Sequence, residues 1–256
     1  MSPELFLNSV NKKIDRRFAL FLDVDGTLLE FTDKPDNVSA DNYLIAILKN
    51  LVIELNGAMA LVSGRTINSL DNIFFPQKFT CSGQHGVERR TSDGLSHSLA
   101  RSPSLNELKK QLNRFASNNS NLLVEDKGCS LVLHYRRVPS AKNIAHGIIK
   151  KILENDLEHE CLAGNKIFEI KPKNTDKGKA ISLFMNEPAF VGRTPIFIGD
   201  DITDEDGFRY INQIGGKSIQ VGNPGERITK SLAHYKLSNV SAVRSFLLVL
   251  LKFLSR

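Results

Sequence analysis

The chain has 256 residues, 41% hydrophobic and 24% charged, which is long enough to bury a substantial core and too ordinary in composition for a disordered or fibrous protein. Its formal net charge of +6 favours an anionic partner. The basic residues are scattered, however, there is no Trp, and no aromatic-studded basic stripe is present, which weighs against nucleic acid and toward a small anionic ligand.

Phe18–Val24 (FALFLDV) predicts a short strand buried on both faces, ending in the turn Asp25-Gly26-Thr27. Ser39 is placed to cap a helix through YLIAILKNLVIEL, which Gly57 stops. Met59–Val62 reads as a second strand before Ser63-Gly64-Arg65, and Ile67–Phe75 as a helix closed by Pro76. A third strand near Phe79–Cys81 leads into SGQHG. Such alternation implies parallel strands with crossover helices, and ligands gather at the carboxyl ends of such strands.

From Pro103 the rhythm changes. A helix to about Phe115 is followed by paired strands LLVEDK and CSLVLHYR, a helix around AHGIIKKILEN, and strands HECLA and KIFEIKP. Paired strands with tight turns make an antiparallel sheet with helices on one face. The parallel pattern returns with a helix over Lys177–Met185, a strand over Pro195–Ile198 ending in GDDITDEDG, and a strand in IQVGN. The expected fold is α/β: a Rossmann-like parallel-sheet core over 1–100 and 173–256, with an inserted α+β cap domain over 101–172. The last apolar run, Phe246–Leu251, is far short of the ~20 residues that span a bilayer and reads as a buried terminal helix.

Asp23 and Asp25 are two apart, so on an extended chain both carboxylates leave the strand end on one side. Carboxylates so close need a cation, and oxygen-only ligation suits Mg²⁺. Asp23 can then act as nucleophile toward phosphorus while Asp25 protonates the leaving oxygen and later activates water. Gly26 permits a tight turn with its N–H aimed at a phosphate, and Thr27 is placed to cap the next segment. At other strand ends, Ser63 offers a hydroxyl, Arg65 a forked guanidinium and Lys177 a neutralising cation. Asp200, with Asp201 and Asp204 as a supporting acidic cluster, completes an expected metal set of Asp23, Asp25 and Asp200. Each motif alone is ordinary turn chemistry. Four strand ends presenting them in this order are specific.

DVDGT, the serine of SGR, Lys177 and GDDITDE resemble the four motifs of the haloacid dehalogenase superfamily. An α/β cap inserted between the second and third motifs resembles its large-cap subclass, which implies a small, enclosed substrate. Within that superfamily LDVDGTLLEF, LVSGR, GQHGVE, VEDKGCSLVLHYR, FEIKP, DKGKAI and GDDITDEDGF resemble the trehalose-6-phosphate phosphatases. That resemblance implies hydrolysis of a small-molecule sugar phosphate in a pocket between core and cap. It also implies that Glu125, Lys127 and Glu169 bond sugar hydroxyls, that His134 and Arg136 belong to the same cap site, and that Gln84, His85 and Gly86 line the pocket beside the phosphate. Lys171 stands where this family more often has Arg. Without the resemblance, Glu125 and Lys127 read as a solvated same-face pair on a sheet. A phosphatase of the same superfamily acting on sucrose phosphate, a mannosyl phosphoglycerate or a hexose phosphate shares the core motifs. A phospho-aspartate binding switch without turnover shares the clustered aspartates, hydroxyl and lysine.

Cys81, Cys129 and Cys161 lack metal or disulfide spacing and read as buried thiols in a reducing compartment. The N-terminal stretch has no apolar signal-peptide core. The expectation is a cytoplasmic monomer with neither nucleic acid nor membrane as partner.

Overall fold

The computed structural model describes residues 17–31, 38–119, 121–164, 166–222 and 230–255. Residues 1–16, read for a targeting signal, and Asn223 of the IQVGN segment lie outside the described residues.

β1 (Phe18–Leu22) is buried at every position because it lies inside an eight-stranded sheet. The order is β12 (Tyr235–Leu237), β11 (Lys217–Val221), β10 (Thr194–Gly199), β1, β2 (Met59–Val62), β3 (Cys81–Gly83), β4 (Glu88–Arg90) and β5 (Ser96–Ser98). Pairing is parallel from β12 to β3 and turns antiparallel at β3–β4. The predicted third strand is thus displaced two residues toward its polar end, where Leu61 and Val62 pair with Cys81 and Ser82.

Phe21 and Phe197 are register partners, so they share one face of the sheet. On that face Phe21 stacks on Phe190 at 5.4 Å and lies 6.1 Å from Phe184 of α5 (Lys177–Met185), while Phe197 meets Phe208 of α6 (Asp204–Gln213) at 5.3 Å. α1 (Asn42–Glu54) packs against α7 (Val240–Leu254), which buries Val240, Val243, Phe246, Leu247 and Leu250 as a helical stripe. The cap of α1 is Asp41 rather than Ser39, its carboxylate accepting the Leu44 N–H at 2.8 Å. α2 (Ile67–Ile73) is capped by Thr66 and ends two residues before the predicted Phe75.

The chain divides into two compact units, Met1–His97 with Asp176–Arg256, and Ser98–Thr175. The second holds a four-stranded sheet in the order β6 (Leu123–Asp126), β7 (Leu131–His134), β9 (Ile167–Pro172), β8 (His159–Gly164), antiparallel throughout. α3 (Pro103–Ser117) and α4 (Lys142–Ile152) bury Leu105, Leu108, Leu112, Ala145 and Ile149 against Leu131, Leu133, Phe168 and Ile170. Strand alternation sends Glu125, Val132, His134, Glu169 and Lys171 to the opposite, helix-free face. The α/β core with an antiparallel α+β insert agrees with the expected fold. Among the described residues, no helix is long and apolar enough to cross a membrane.

Candidate active site

Three adjacent parallel strands end side by side, and each delivers one polar residue: Asp200 after β10, Asp23 after β1, Ser63 after β2. The ladder continues one residue past the strands, with the Asp23 N–H donating to Ile198 O at 3.0 Å and the Ser63 N–H to Ser82 O at 2.9 Å. Strand order diverges on either side of β1, which is where open α/β sheets bind ligands.

Lys177 and Asp204 each open a helix, which aims their side chains back at this edge. α5 starts at Lys177 because the Asp176 carboxylate accepts the Lys179 N–H at 2.8 Å. Lys177 Nζ then donates to Asp23 Oδ1 and to Asp204 Oδ1, both at 2.7 Å, and all three side chains are buried. The other Asp204 oxygen accepts the N–H groups of Asp200 and Asp201 at 2.9 Å each. Asp204 is therefore a clamp, tying the lysine to the loop that carries Asp200. Asp201 turns its carboxylate to the Ile202 N–H at 2.8 Å.

Asp23, Asp200 and Asp204 bring carboxylate oxygens within 4.8 Å of one another. Burial pushes Asp23 up to about 7, against the pull of Lys177 and with the push of Asp204. Burial, then Asp23 and Asp204, push Asp200 up to about 9. Burial opposes the charge of Lys177, yet Asp204 and Asp23 hold its proton well above the ordinary lysine range. Ionising all these buried carboxylates around one buried ammonium leaves an excess of negative charge, which a hard divalent cation relieves. The donor set fits such an ion, and because Asp204 is committed to Lys177 and two N–H groups, Asp23 and Asp200 are the residues that would hold it.

The Asp25 carboxylate stands outside this group, contrary to the metal set expected from spacing. Arg65 grips it bidentately, Nε to Oδ2 and Nη2 to Oδ1, both at 2.7 Å. The Arg65 fork, expected on phosphate, is thus engaged by a carboxylate brought in from 40 residues away.

Gly26 also differs from expectation: its N–H donates to Leu29 O at 2.7 Å, closing the turn rather than facing an anion. The residue is required for another reason. Its φ is +82°, and a Cβ there would lie 2.2 Å from Asp200 Oδ2. Gly26→Ala is accordingly expected to displace Asp200 and to lower turnover at this site by about 10²-fold or more, since an ångström of misplacement costs that much. Phosphate release over a Mg²⁺ titration checks this, and near-native activity would contradict it. Among the described residues the buried Thr27 hydroxyl has no hydrogen-bond partner, so it caps nothing there.

Ser63 is buried, and its Oγ accepts the Arg65 N–H at 3.2 Å, so its own proton points elsewhere. Beside it Gln84 and His85 adopt left-handed backbone, φ 49° and 55°. Their N–H groups donate to Arg65 O at 2.8 Å and Ser63 O at 3.1 Å, and Gly86 continues the turn at φ 104°. The Gln84 side-chain amide donates to Glu88, whose other oxygen accepts the Ile67 N–H at 2.7 Å. Glu88 was not among the expected site residues; its place at the end of the GQHGVE motif was the available signal.

In the second unit, the helix-free face gathers Glu125, Lys127, His134 and Glu169 of the other expected residues. His134 Nε2 lies 2.8 Å from Glu125 Oε2, and Lys127 Nζ 3.5 Å from Glu169 Oε1. The Glu125 side chain is 45% exposed but that of Lys127 only 15%, and the Glu169 carboxylate beside Lys127 only 3%, so the solvated-pair reading suits Glu125 and fails for Lys127. Arg136 is exposed in the turn after β7 and not on the sheet. Ser130, absent from the expected set, is fully buried and donates to Glu169 Oε1 at 2.7 Å. Counting back by twos from His134 places it on that face.

The family model described as trehalose-phosphatase matches residues 21–241. The chain belongs to the trehalose-phosphatase family. It is 38% identical over 226 residues to a probable trehalose-phosphate phosphatase of Sinorhizobium fredii, covering 86% of this chain and 83% of that one. It is 34% identical over 236 residues to the trehalose-6-phosphate phosphatase of Escherichia coli, covering 92% and 87%. In fold it is similar to the C-terminal domain of the C. albicans trehalose-6-phosphate phosphatase, with TM-score 0.81, 22% identity and coverage of 98% and 97%. The trehalose-phosphatase match runs through both units and so takes in the strand-end aspartates and the helix-free face alike.

Proposed function

We propose that this chain is a phosphoric monoester hydrolase that converts trehalose 6-phosphate to trehalose and inorganic phosphate. The reading is carried by Asp23, a buried carboxylate at the switch point of a parallel sheet, hydrogen-bonded to Lys177, in a chain of the trehalose-phosphatase family. Asp23 and Asp200 would hold Mg²⁺, which when bound would supply charge neutralisation for a phosphate dianion.

An Asp23 oxygen forms a bond to phosphorus as the bond from phosphorus to the sugar oxygen breaks, and Asp25 gives that oxygen its proton. Water then attacks the aspartyl phosphate, passes a proton to Asp25, and releases phosphate and the free Asp23 carboxylate. Lys177 fixes the attacking carboxylate and offsets charge on the transferring group. Ser63 has its oxygen occupied by the Arg65 N–H and so presents its hydroxyl proton to a phosphoryl oxygen. Gln84, His85 and Gly86 form the wall beside it. Glu125, Lys127, His134, Arg136 and Glu169 supply acceptors and donors for sugar hydroxyls, chemistry that suits a ligand with no charge beyond its phosphate. The reading needs neither nucleic acid nor a membrane.

Lys127→Ala is expected to raise KM for trehalose 6-phosphate roughly tenfold to hundredfold, the cost of losing a hydrogen bond to a charged group. Activity on a small aryl phosphate should fall far less. Equal loss on both esters would remove the sugar-binding role from the helix-free face. Phosphate release from trehalose 6-phosphate by the purified chain tests the whole reading, and its absence overturns it.

A further inference from the structure

Arg65 is anchored at both ends of the residue. Its N–H donates to Ser63 Oγ at 3.2 Å and its carbonyl accepts the Gln84 N–H at 2.8 Å, while Gly83 approaches so closely that a Cβ would sit 2.7 Å from that carbonyl oxygen. Its guanidinium spends Nε and Nη2 on the two oxygens of Asp25 and turns Nη1 toward Ser69 Oγ at 3.4 Å. One residue therefore sets the phosphate-facing serine through its backbone and the Asp25 carboxylate through its side chain.

The Asp25 side chain is 28% exposed against 6% for Asp23, so it is the carboxylate that water and a leaving group can reach. The terminal torsion of an aspartate is broad, and an unheld carboxylate plane swings. A bidentate fork fixes that plane. It uses one lone pair on each oxygen and leaves the others for proton transfer. The Nε–Nη2 edge of the guanidinium is committed to Asp25, so gripping the substrate phosphate through that fork would require Arg65 to release Asp25.

We propose that Arg65 is a positioning residue that holds the Asp25 carboxylate in the plane needed for proton transfer, and is not a ligand of the substrate phosphate. This rests on the reading of Asp25 as general acid and base. In the first half-reaction the proton leaves Asp25 for the sugar oxygen as the bond from phosphorus to that oxygen breaks. In the second a water proton returns to Asp25 as the bond from phosphorus to Asp23 breaks.

A sugar alkoxide is a poor leaving group that needs the proton; p-nitrophenolate leaves without it. The test compares Arg65→Met, Arg65→Lys and Asp25→Asn on trehalose 6-phosphate and a series of aryl phosphates, using kcat/KM, which covers only the steps through leaving-group departure. For Arg65→Met, kcat/KM should fall about 10²-fold or more on the sugar ester and less than about tenfold on p-nitrophenyl phosphate, with a steeper leaving-group dependence like that of Asp25→Asn. Arg65→Lys should recover little, since an ammonium cannot fork. It keeps a cation in place and is read in the same way should the Met variant not fold. Inhibition by inorganic phosphate should stay within about threefold of wild type in both variants, because the lost contact is not to phosphate. Equal losses on both esters with phosphate inhibition weakened about tenfold or more would make Arg65 a phosphate ligand and overturn the proposal. If Asp25→Asn itself shows no leaving-group dependence, the acid–base reading of Asp25 falls, and the proposal with it. If Asp25→Asn shows it and the Arg65 variants do not, the proposal alone fails.

Discussion

Asp23→Asn is expected to lose phosphate release by at least about 10⁴-fold, the scale on which single nucleophiles are lost, while the protein stays folded. The amide oxygen can still accept from Lys177, which lies 2.7 Å from Asp23 Oδ1 in the native chain, so the packing around the lysine survives. Stability should move in the opposite direction from activity. In the folded chain Asp23 is raised to about 7 and Asp200 to about 9, above the ~3.9 of an unfolded aspartate. As pH rises the unfolded chain gives up these protons first, so the folded state of the metal-free wild type loses stability from about pH 4 until those raised values are passed. Lys177, whose proton is held more tightly in the folded chain, keeps its stabilising share throughout that range. Asp23→Asn removes one of the raised groups and should be at least as stable as wild type near neutral pH in chelator. Urea unfolding followed by circular dichroism measures this. An Asp23→Asn protein that turns over substrate at a readily measured rate would remove Asp23 from the role of nucleophile.

Lys177→Met should carry the largest stability loss of any single change near the site. The lysine side chain is 3% exposed and bonds Asp23 and Asp204. Its loss leaves buried carboxylates without the ammonium, a situation that typically costs about 3–5 kcal/mol. Turnover should fall by at least about 10²-fold as well, because charge on the transferring group is no longer offset. Added Mg²⁺ should recover part of the stability and little of the activity, since the cation can relieve repulsion without holding Asp23 in place. The measurement is urea unfolding with Mg²⁺ and with chelator. A loss below about 1 kcal/mol, the scale of an exposed ion pair, would show that the lysine is not the main counter-charge.

Much of this site could be read from the chain because each strand is a short apolar run and the residue that follows it is conspicuously polar. Asp23, Ser63 and Asp200 follow FALFL, MALV and TPIFIG directly. The α+β insert was legible because its strands come in adjacent pairs, LLVEDK with CSLVLHYR and HECLA with KIFEIKP, which tight turns join into an antiparallel sheet. Partner choice was not legible. The spacing of Asp23 and Asp25 says that both leave one strand end, but it cannot show that Arg65 takes the second while Lys177 takes the first. Gly26 was read as an anion-facing N–H, whereas its N–H closes a turn and its missing Cβ makes room for Asp200. The hairpin strands Glu88–Arg90 and Ser96–Ser98 were missed because neither carries an apolar residue to signal a sheet. Ser130 was passed over because burial of Glu169, which makes a serine there useful, is a property of the folded sheet.

The most direct test is phosphate release by the purified protein from trehalose 6-phosphate, sucrose 6-phosphate, glucose 6-phosphate and a mannosyl phosphoglycerate, each with Mg²⁺ and with chelator. Strong preference for trehalose 6-phosphate, lost in chelator, is the expected result; turnover of none of these esters would contradict it.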